Sequence, residues 1–398
     1  MMNSNQRSTS FKALFEIFKV STKLGFTSFG GPTAHLGYFH GEYIQRKKWI
    51  DEKAYAELVA LCQFLPGPAS SQVGIGIGVI RGGILGGVIS FLGFTMPSVI
   101  ALIIFALLVQ GLDVSDAGWI HGLKIVAVAV VAHAILGMAK NLTPDLSRKA
   151  IAIFAIAFVL LWPVAFAQVS VIVLAGVLGY FLFRQVNEEN ATSLTFPITK
   201  KLGAFCITLF FGLLIFLPIL RELTSFRLVA MFDSFYRAGA LVFGGGHVVL
   251  PLLEREFVPT GFISEEAFLA GYGATQAVPG PMFTFAAYIG AVMDGWLGGI
   301  LATAAIFLPA FLLVFGALPF WNALRKNGKM KGAFMGMNAA VVGILISALY
   351  DPIFTSAIIK PLDFVLAVLL FSMLTYWKMA PWIIVITGIV GGMIISLI

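Results

Sequence analysis

Lys23-Leu24-Gly25-Phe26-Thr27-Ser28-Phe29-Gly30-Gly31 returns later in the chain as Arg237-Ala238-Gly239-Ala240-Leu241-Val242-Phe243-Gly244-Gly245. Gln63-Phe64-Leu65-Pro66-Gly67-Pro68 likewise returns as Gln276-Ala277-Val278-Pro279-Gly280-Pro281. The first pair is offset by 214 residues (23 to 237) and the second by 213 (63 to 276). Two helix-breaking signatures, kept in order at nearly constant spacing, mean an internal duplication. In an apolar chain, duplicated helix breaks point to a transporter assembled from two repeats.

The composition identifies the solvent. Hydrophobic residues make up 59% of the 398 residues and charged ones 11%, with a mean hydropathy of +0.95. Soluble domains carry about 25% charged residues. Gly83–Gln110, Ala117–Ala139 and Leu202–Leu220 each approach or exceed the ~20 residues a membrane-crossing helix needs. The expected fold class is an all-α polytopic membrane protein, an inverted-topology repeat of broken and half-spanning helices, with no soluble domain. Residues 1–10 are polar and lack the pattern of a cleaved signal, so the first helix is expected to stay in the mature protein. The net charge of +7 is read as basic cytoplasmic loops rather than a nucleic-acid partner. Cys62 and Cys206 lie apart in apolar helical sequence and form neither a disulfide framework nor a zinc motif.

The first copy spans 11–184 and the second 226–398. Between them, 185–225 holds a polar linker and one unmatched helix, Leu202–Leu220. The predicted pieces of the first copy are A (11–29), B (34–46), C (53–65), D (69–80), E (83–110), F (117–139), G (150–166) and H (168–184). Those of the second are A′ (226–244), B′ (247–257), C′ (265–278), D′ (282–293), E′ (296–319), F′ (332–350), G′ (361–377) and H′ (380–398). B, C and D are about 12 residues each, or about 18 Å, too short for a hydrocarbon core of roughly 30 Å.

Basic residues favour cytoplasmic loops. Arg46, Lys47, Lys48 and Lys53 place the B–C loop inside, and Lys140, Arg148 and Lys149 the F–G loop. The second B–C loop is acidic, with Glu254, Glu256, Glu265 and Glu266 against Arg255, and reads as outside. Arg325, Lys326, Lys329 and Lys331 place the second E–F loop inside, whereas its counterpart holds only Asp113 and Asp116. Equivalent loops thus face opposite sides, and the unmatched helix supplies the extra crossing. A parallel duplication with scattered basic loops is the alternative. The N-terminus is expected in the cytoplasm and the protein in the cell's inner membrane. One repeat is expected to rock against the other.

C–D and C′–D′ are expected to be hairpins entering from opposite faces, with their tips at Pro66-Gly67-Pro68 and Pro279-Gly280-Pro281. Broken backbone inside a bilayer is tolerated only beside protein or a wet cavity. Pro68 suits the first position of helix D, whose N-terminus then offers the amides of Ala69, Ser70 and Ser71 and two hydroxyls. Such an end suits an oxyanion. The second copy offers Met282, Phe283 and Thr284. A tight interhelical turn is the bland reading. Gln63 and Gln276 could donate to an anion or repair the broken backbone. Gly30, Gly31, Gly244, Gly245 and Gly246 end the A helices and permit backbone approach to a ligand or close helix packing.

Lys23 and Arg237 are candidate counter-charges because ionisable groups inside membrane segments are costly. Snorkelling is the rival for Lys23, and Asp233 one turn away is able to neutralise Arg237. Glu57, His35 and His247 are candidates for proton coupling, against ordinary structural hydrogen bonding. A P-loop, a nucleophilic triad and a metal cluster are all missing from the sequence, so neither enzymatic chemistry nor a cofactor or metal is expected.

The paired Phe-Gly-Gly and Pro-Gly-Pro motifs, Gly86-Gly87 with Gly298-Gly299, and the block from Phe243 to Pro281 resemble the chromate ion transporter (CHR) family in its long two-domain form. The second glycine run of that family is commonly followed by an aromatic residue; here it is His247. The resemblance covers essentially the whole chain. It implies an inner-membrane exporter of chromate that confers chromate resistance, with sulfate as a competing tetrahedral dianion. The expected partners are that oxyanion and the lipid bilayer, with a homodimer possible and nucleic acid not. The rival functions are an uptake permease or channel for sulfate-like anions and a membrane-bound chromate reductase.

Overall fold

A computed structural model describes residues 11–110, 118–162, 165–183, 198–224, 226–243, 246–321 and 328–397. Its regular structure is helical, with no strand among the described residues. Five helical stretches are long and apolar enough to cross a membrane, and shorter apolar helices accompany them. The protein is an all-α polytopic membrane protein.

In chain order the helices are α1 (Phe11–Thr27), α2 (Pro32–Phe39, continued by a wide turn His40–Arg46), α3 (Glu52–Phe64) and α4 (Ala69–Gln110). Next come α5 (Gly118–Leu142), α6 (Leu146–Leu161), α7 (Ala165–Leu182) and the unmatched α8 (Lys200–Leu223). The second copy is α9 (Arg227–Leu241), α10 (Val249–Phe257), α11 (Glu265–Thr275), α12 (Phe285–Ala317), α13 (Gly328–Ala348), α14 (Pro361–Thr375) and α15 (Pro381–Ser396).

Both long helices are in fact hairpins. Gly82 and Gly83, the latter at φ 65°, reverse the chain inside α4, and Asp294 and Gly295 (φ 57°) do so inside α12. Across the first turn a Cβ on Gly78 would strike Gly86, and the Ser90 hydroxyl donates to the Gly74 carbonyl at 2.9 Å. The glycines Gly74, Gly76 and Gly78 therefore serve close packing, which small residues allow in lipid. Residues 69–81 and 84–110 thus run antiparallel, side by side.

α1 and α2 form a second hairpin in each copy, which the sequence pieces A and B did not express. Lys23 bonds Glu42 at 2.8 Å and Lys47 bonds Glu16 at 2.9 Å, so the two arms run antiparallel. In the second copy Arg237 bonds Glu256 at 2.8 Å. Lys23–Glu42 and Arg237–Glu256 are the same pair, offset by 214 at both residues (23 to 237, 42 to 256). Each half-helix before the Pro-Gly-Pro is started by a side-chain cap at equivalent places, Asp51 to the Ala54 amide and Ser264 to the Ala267 amide.

The second arms of the two long hairpins cross at the centre. Phe91 meets Phe307 and Phe311 at 4.9 Å, whereas Ile103 meets Gly299. The equivalent helices thus cross antiparallel. At the periphery the copies interleave. A Cβ on Gly118 or Gly122 of α5 would strike α15 at Gly392 or Gly388, and Gly332 and Gly336 of α13 abut α7 at Gly179 and Ala175 in the same way. α5 also runs parallel to α14, through His121–Asp363 (2.9 Å) and His133–Thr375 (3.0 Å). The packing units are therefore not the sequence repeats: each copy's last three helices knit with those of the other. That arrangement disfavours rocking of one whole repeat against the other.

Helix ends depart from the predicted pieces by a few residues where caps intervene. α6 starts four residues early (146 rather than 150) because Asp145 caps it through the Arg148 amide. The same bonds from Arg148 hold this loop carboxyl below its ordinary pKa. α8 joins the second copy at both ends, Gly203 against Gly316 and Arg221 against Asp233 and Glu256, and is long and apolar enough to cross a membrane.

Candidate functional site

Both Pro-Gly-Pro tips meet the broken ends of α1 and α9 inside the protein. The Gly67 amide donates to the Val242 carbonyl at 2.7 Å, and the Gly280 amide donates to the Ser28 carbonyl at 2.9 Å. Ser28 and Val242 are equivalent residues at the ends of α1 and α9 (offset 214). Each Pro-Gly-Pro tip is thus tied to the broken first helix of the opposite copy. Gly67 and Gly280 hold φ of 112° and 110°, a region that only glycine enters without strain. A Cβ on Gly280 would lie 2.7 Å from the Ser98 hydroxyl.

Around these tips lie polar atoms buried without a partner among the described residues: the hydroxyls of Ser28, Ser71 and Thr95, His35 Nε2, Gln72 Oε1 and Gln276 Nε2. Buried polar groups are normally paired, so such a concentration asks for an explanation, of which a ligand is one. The geometry links several of them. His35 Nδ1 is 3.2 Å from Ser70 Oγ at the start of the 69–81 half-helix, and its ring stands edge-on to Phe94 at 5.5 Å. Thr95 and Ser98 follow Phe94, and the Ser98 hydroxyl donates to the Thr95 carbonyl at 2.9 Å beside Gly280. Gln72 Nε2 donates to the Pro66 carbonyl at 2.7 Å, repairing one bond of the break. The Gln72 amide bonds Pro68, leaving those of Ala69, Ser70 and Ser71 without helical acceptors.

The sequence candidates divide into distinct groups. Ser70, Ser71, His35 and Gln276 are buried. Thr284 is buried too, but its hydroxyl donates to the Pro281 carbonyl at 2.7 Å. Gln63 is exposed, although its counterpart Gln276 is not. Lys23, 48% exposed, is committed to Glu42. Arg237 is committed to Asp233 at 2.9 Å and Glu256 at 2.8 Å. Glu57 accepts from Trp321 Nε1 at 2.8 Å, across the copies. Gly30 has a φ of 93° and Gly31 caps α2, while Gly246 begins a short turn against Met282. Gly244, Gly245 and the His247 side chain lie outside the described residues.

Ser28, Gln72, Thr95 and Ser98 were not among the sequence candidates. The signals for them exist: Ser28 lies inside the repeated phrase, and Thr95 and Ser98 flank Pro97, which interrupts an otherwise apolar helix.

A sequence profile described as chromate transporter matches residues 15–180 and 229–393. A chromate transport protein of Cupriavidus metallidurans is 29% identical, covering 82% of this chain and 79% of its own length. A probable chromate transport protein of Synechococcus elongatus is 27% identical, covering 96% and 95%. A chromate transport protein of Pseudomonas aeruginosa is 26% identical, covering 84% and 80%. No solved structure matches the chain.

Proposed function

The chain belongs to the chromate transporter family, and from that premise we propose that it is a secondary transporter exporting chromate across the inner membrane, with its N-terminus in the cytoplasm. The oxyanion is held between the crossed tips by neutral donors: the amides at the start of the 69–81 half-helix, the Ser71 hydroxyl, the His35 imidazole and the Gln276 amide. Helix-end charge of about half a unit and hydrogen bonds favour a dianion without a dedicated cation. A full counter-charge in a dry site would hold it too tightly for release. Lys23 and Arg237 lock the outer hairpins. Sulfate shares the tetrahedral shape and charge and competes. Resistance to chromate follows from export.

The observation that carries this reading is the crosswise bonding of Gly67 to Val242 and Gly280 to Ser28, with unpaired buried donors beside it. Inside-out vesicles carrying the protein should accumulate chromate when an ion gradient is imposed, and excess sulfate should slow the uptake. Accumulation only in right-side-out vesicles would instead mark an importer, and Cr(VI) reduction by the purified protein would mark an enzyme. Ser71→Ala and Gln276→Leu should each weaken chromate binding by roughly 10- to 100-fold, as expected for losing one hydrogen bond to a charged partner. Unchanged half-saturation in both variants would remove these side chains from the site.

A further inference from the structure

The two half-helices that precede the tips, α3 and α11, are equivalent in sequence but not in packing. α11 lies flat on α5: a Cβ on Gly273 would strike the Leu123 carbonyl, and Lys124 pairs with Glu266 at 3.7 Å. Along that face Leu269, Gly273 and Gln276 are all buried. Their counterparts on α3, at an offset of 213, are Ala56, Ala60 and Gln63, and all three are exposed. The α3 face makes one turn-to-turn stripe, at i, i+4 and i+7. α3 touches the matching helix α13 near the tip, where Phe64 meets Phe334 at 3.9 Å. Leu123 is buried, whereas its counterpart on α13, Met337, is half-buried. An exposed glutamine on a membrane half-helix would leave its amide unpaired if lipid covered it, which favours water along this face.

We propose that the protein is held here with a path open along α3, from the basic-loop side to the tips, and sealed on the opposite side by α11 on α5. The outer seal consists of Gly273 on Leu123 with the Lys124–Glu266 pair. The opposite state exchanges the two packings: α11 lifts from α5 while Ala60 and Gln63 close onto Met337 of α13. Inverted copies make such an exchange available because each half-helix has an equivalent landing surface. The pair on the two sides is not equivalent, however. Lys124 and Glu266 correspond to Asn338 and Lys53, so only the outer seal carries an ion pair. This charge bias favours the state seen.

The inference rests on the transport reading above, but the following labelling requires no substrate, so it fails or stands separately from that reading. With Cys62 and Cys206 replaced by alanine, Ala60→Cys should react with a membrane-impermeant thiol reagent from the side of Arg46 and Lys47. Leu269→Cys should resist the reagent from either side. Lys124→Glu should raise the labelling of Leu269→Cys by about fivefold and slow that of Ala60→Cys, because a part-exposed ion pair biases such an equilibrium by about that much. The exchanged pair Lys124→Glu with Glu266→Lys should restore both rates, which a merely misfolded variant would not. Equal labelling of Ala60→Cys and Leu269→Cys, or no restoration by the exchanged pair, would overturn the assignment.

Discussion

Replacing Gly280 with valine should lower chromate flux several-fold or more while the protein remains inserted and close to normal abundance. Gly280 sits at φ 110°, where a side chain costs about 1–3 kcal/mol in strain alone. Its first added carbon would lie 2.7 Å from Ser98 Oγ, on the helix of the opposite copy, and valine adds two more. The tip must withdraw, which breaks the Gly280–Ser28 bond and separates the donors around it. Insertion of the surrounding apolar helices does not depend on that bond. Gly67→Val acts likewise, through φ 112° and Gln72 Nε2 at 3.1 Å. Gly212→Ala is the control, since a Cβ there meets no other atom, and it should transport normally. Flux per inserted molecule should fall by at least about fivefold in the tip variants if even the lower end of that strain, about 1 kcal/mol, falls on the working state. Normal flux in both would take the tips out of the transport path.

Arg237→Gln, in contrast, should lower abundance and thermal stability together with flux. Arg237 bridges Asp233, whose side chain is fully buried, and Glu256, with Arg221 of α8 adding longer contacts to both. Removing one partner of such a pair leaves a buried charge uncompensated, at a cost of about 3–5 kcal/mol. Arg237→Lys keeps the charge but loses the two-pronged geometry and should fall between the two. Lys23→Gln removes the equivalent but half-exposed contact and should cost under about 1 kcal/mol. Full abundance of Arg237→Gln with lost chromate binding would return Arg237 to the site.

Much of this architecture was legible in the chain. Repeated motifs at a nearly constant offset located the tips, and the antiparallel crossing at Phe91, Phe307 and Phe311 is the packing that the expected inversion calls for. The hairpin of α1 on α2 was not legible, because its signal is a pair of contacts, Lys23 with Glu42 and Glu16 with Lys47, between residues far apart in a sequence window. The same blindness hid Glu42 and Glu256 as partners of Lys23 and Arg237, although Asp233 was in view one turn from Arg237. A charge in an apolar segment announces a need for a partner, but not which partner meets it. Ser28 and Thr95 escaped for a different reason. A single hydroxyl in a helix usually bonds its own backbone, so only burial without such a bond marks it out. The interleaving of α5 with α15 and of α7 with α13 depends on glycine faces that look alike wherever helices pack closely.

Chromium offers its own marker for where the anion rests. A structure of the protein soaked with chromate, with the metal located by its anomalous signal, should place chromium between the Pro66–Pro68 and Pro279–Pro281 tips, within hydrogen-bonding reach of Ser71. Chromium found instead beside Arg237 and Glu256, or beside Lys23 and Glu42, would contradict a site built from neutral donors at the crossed tips.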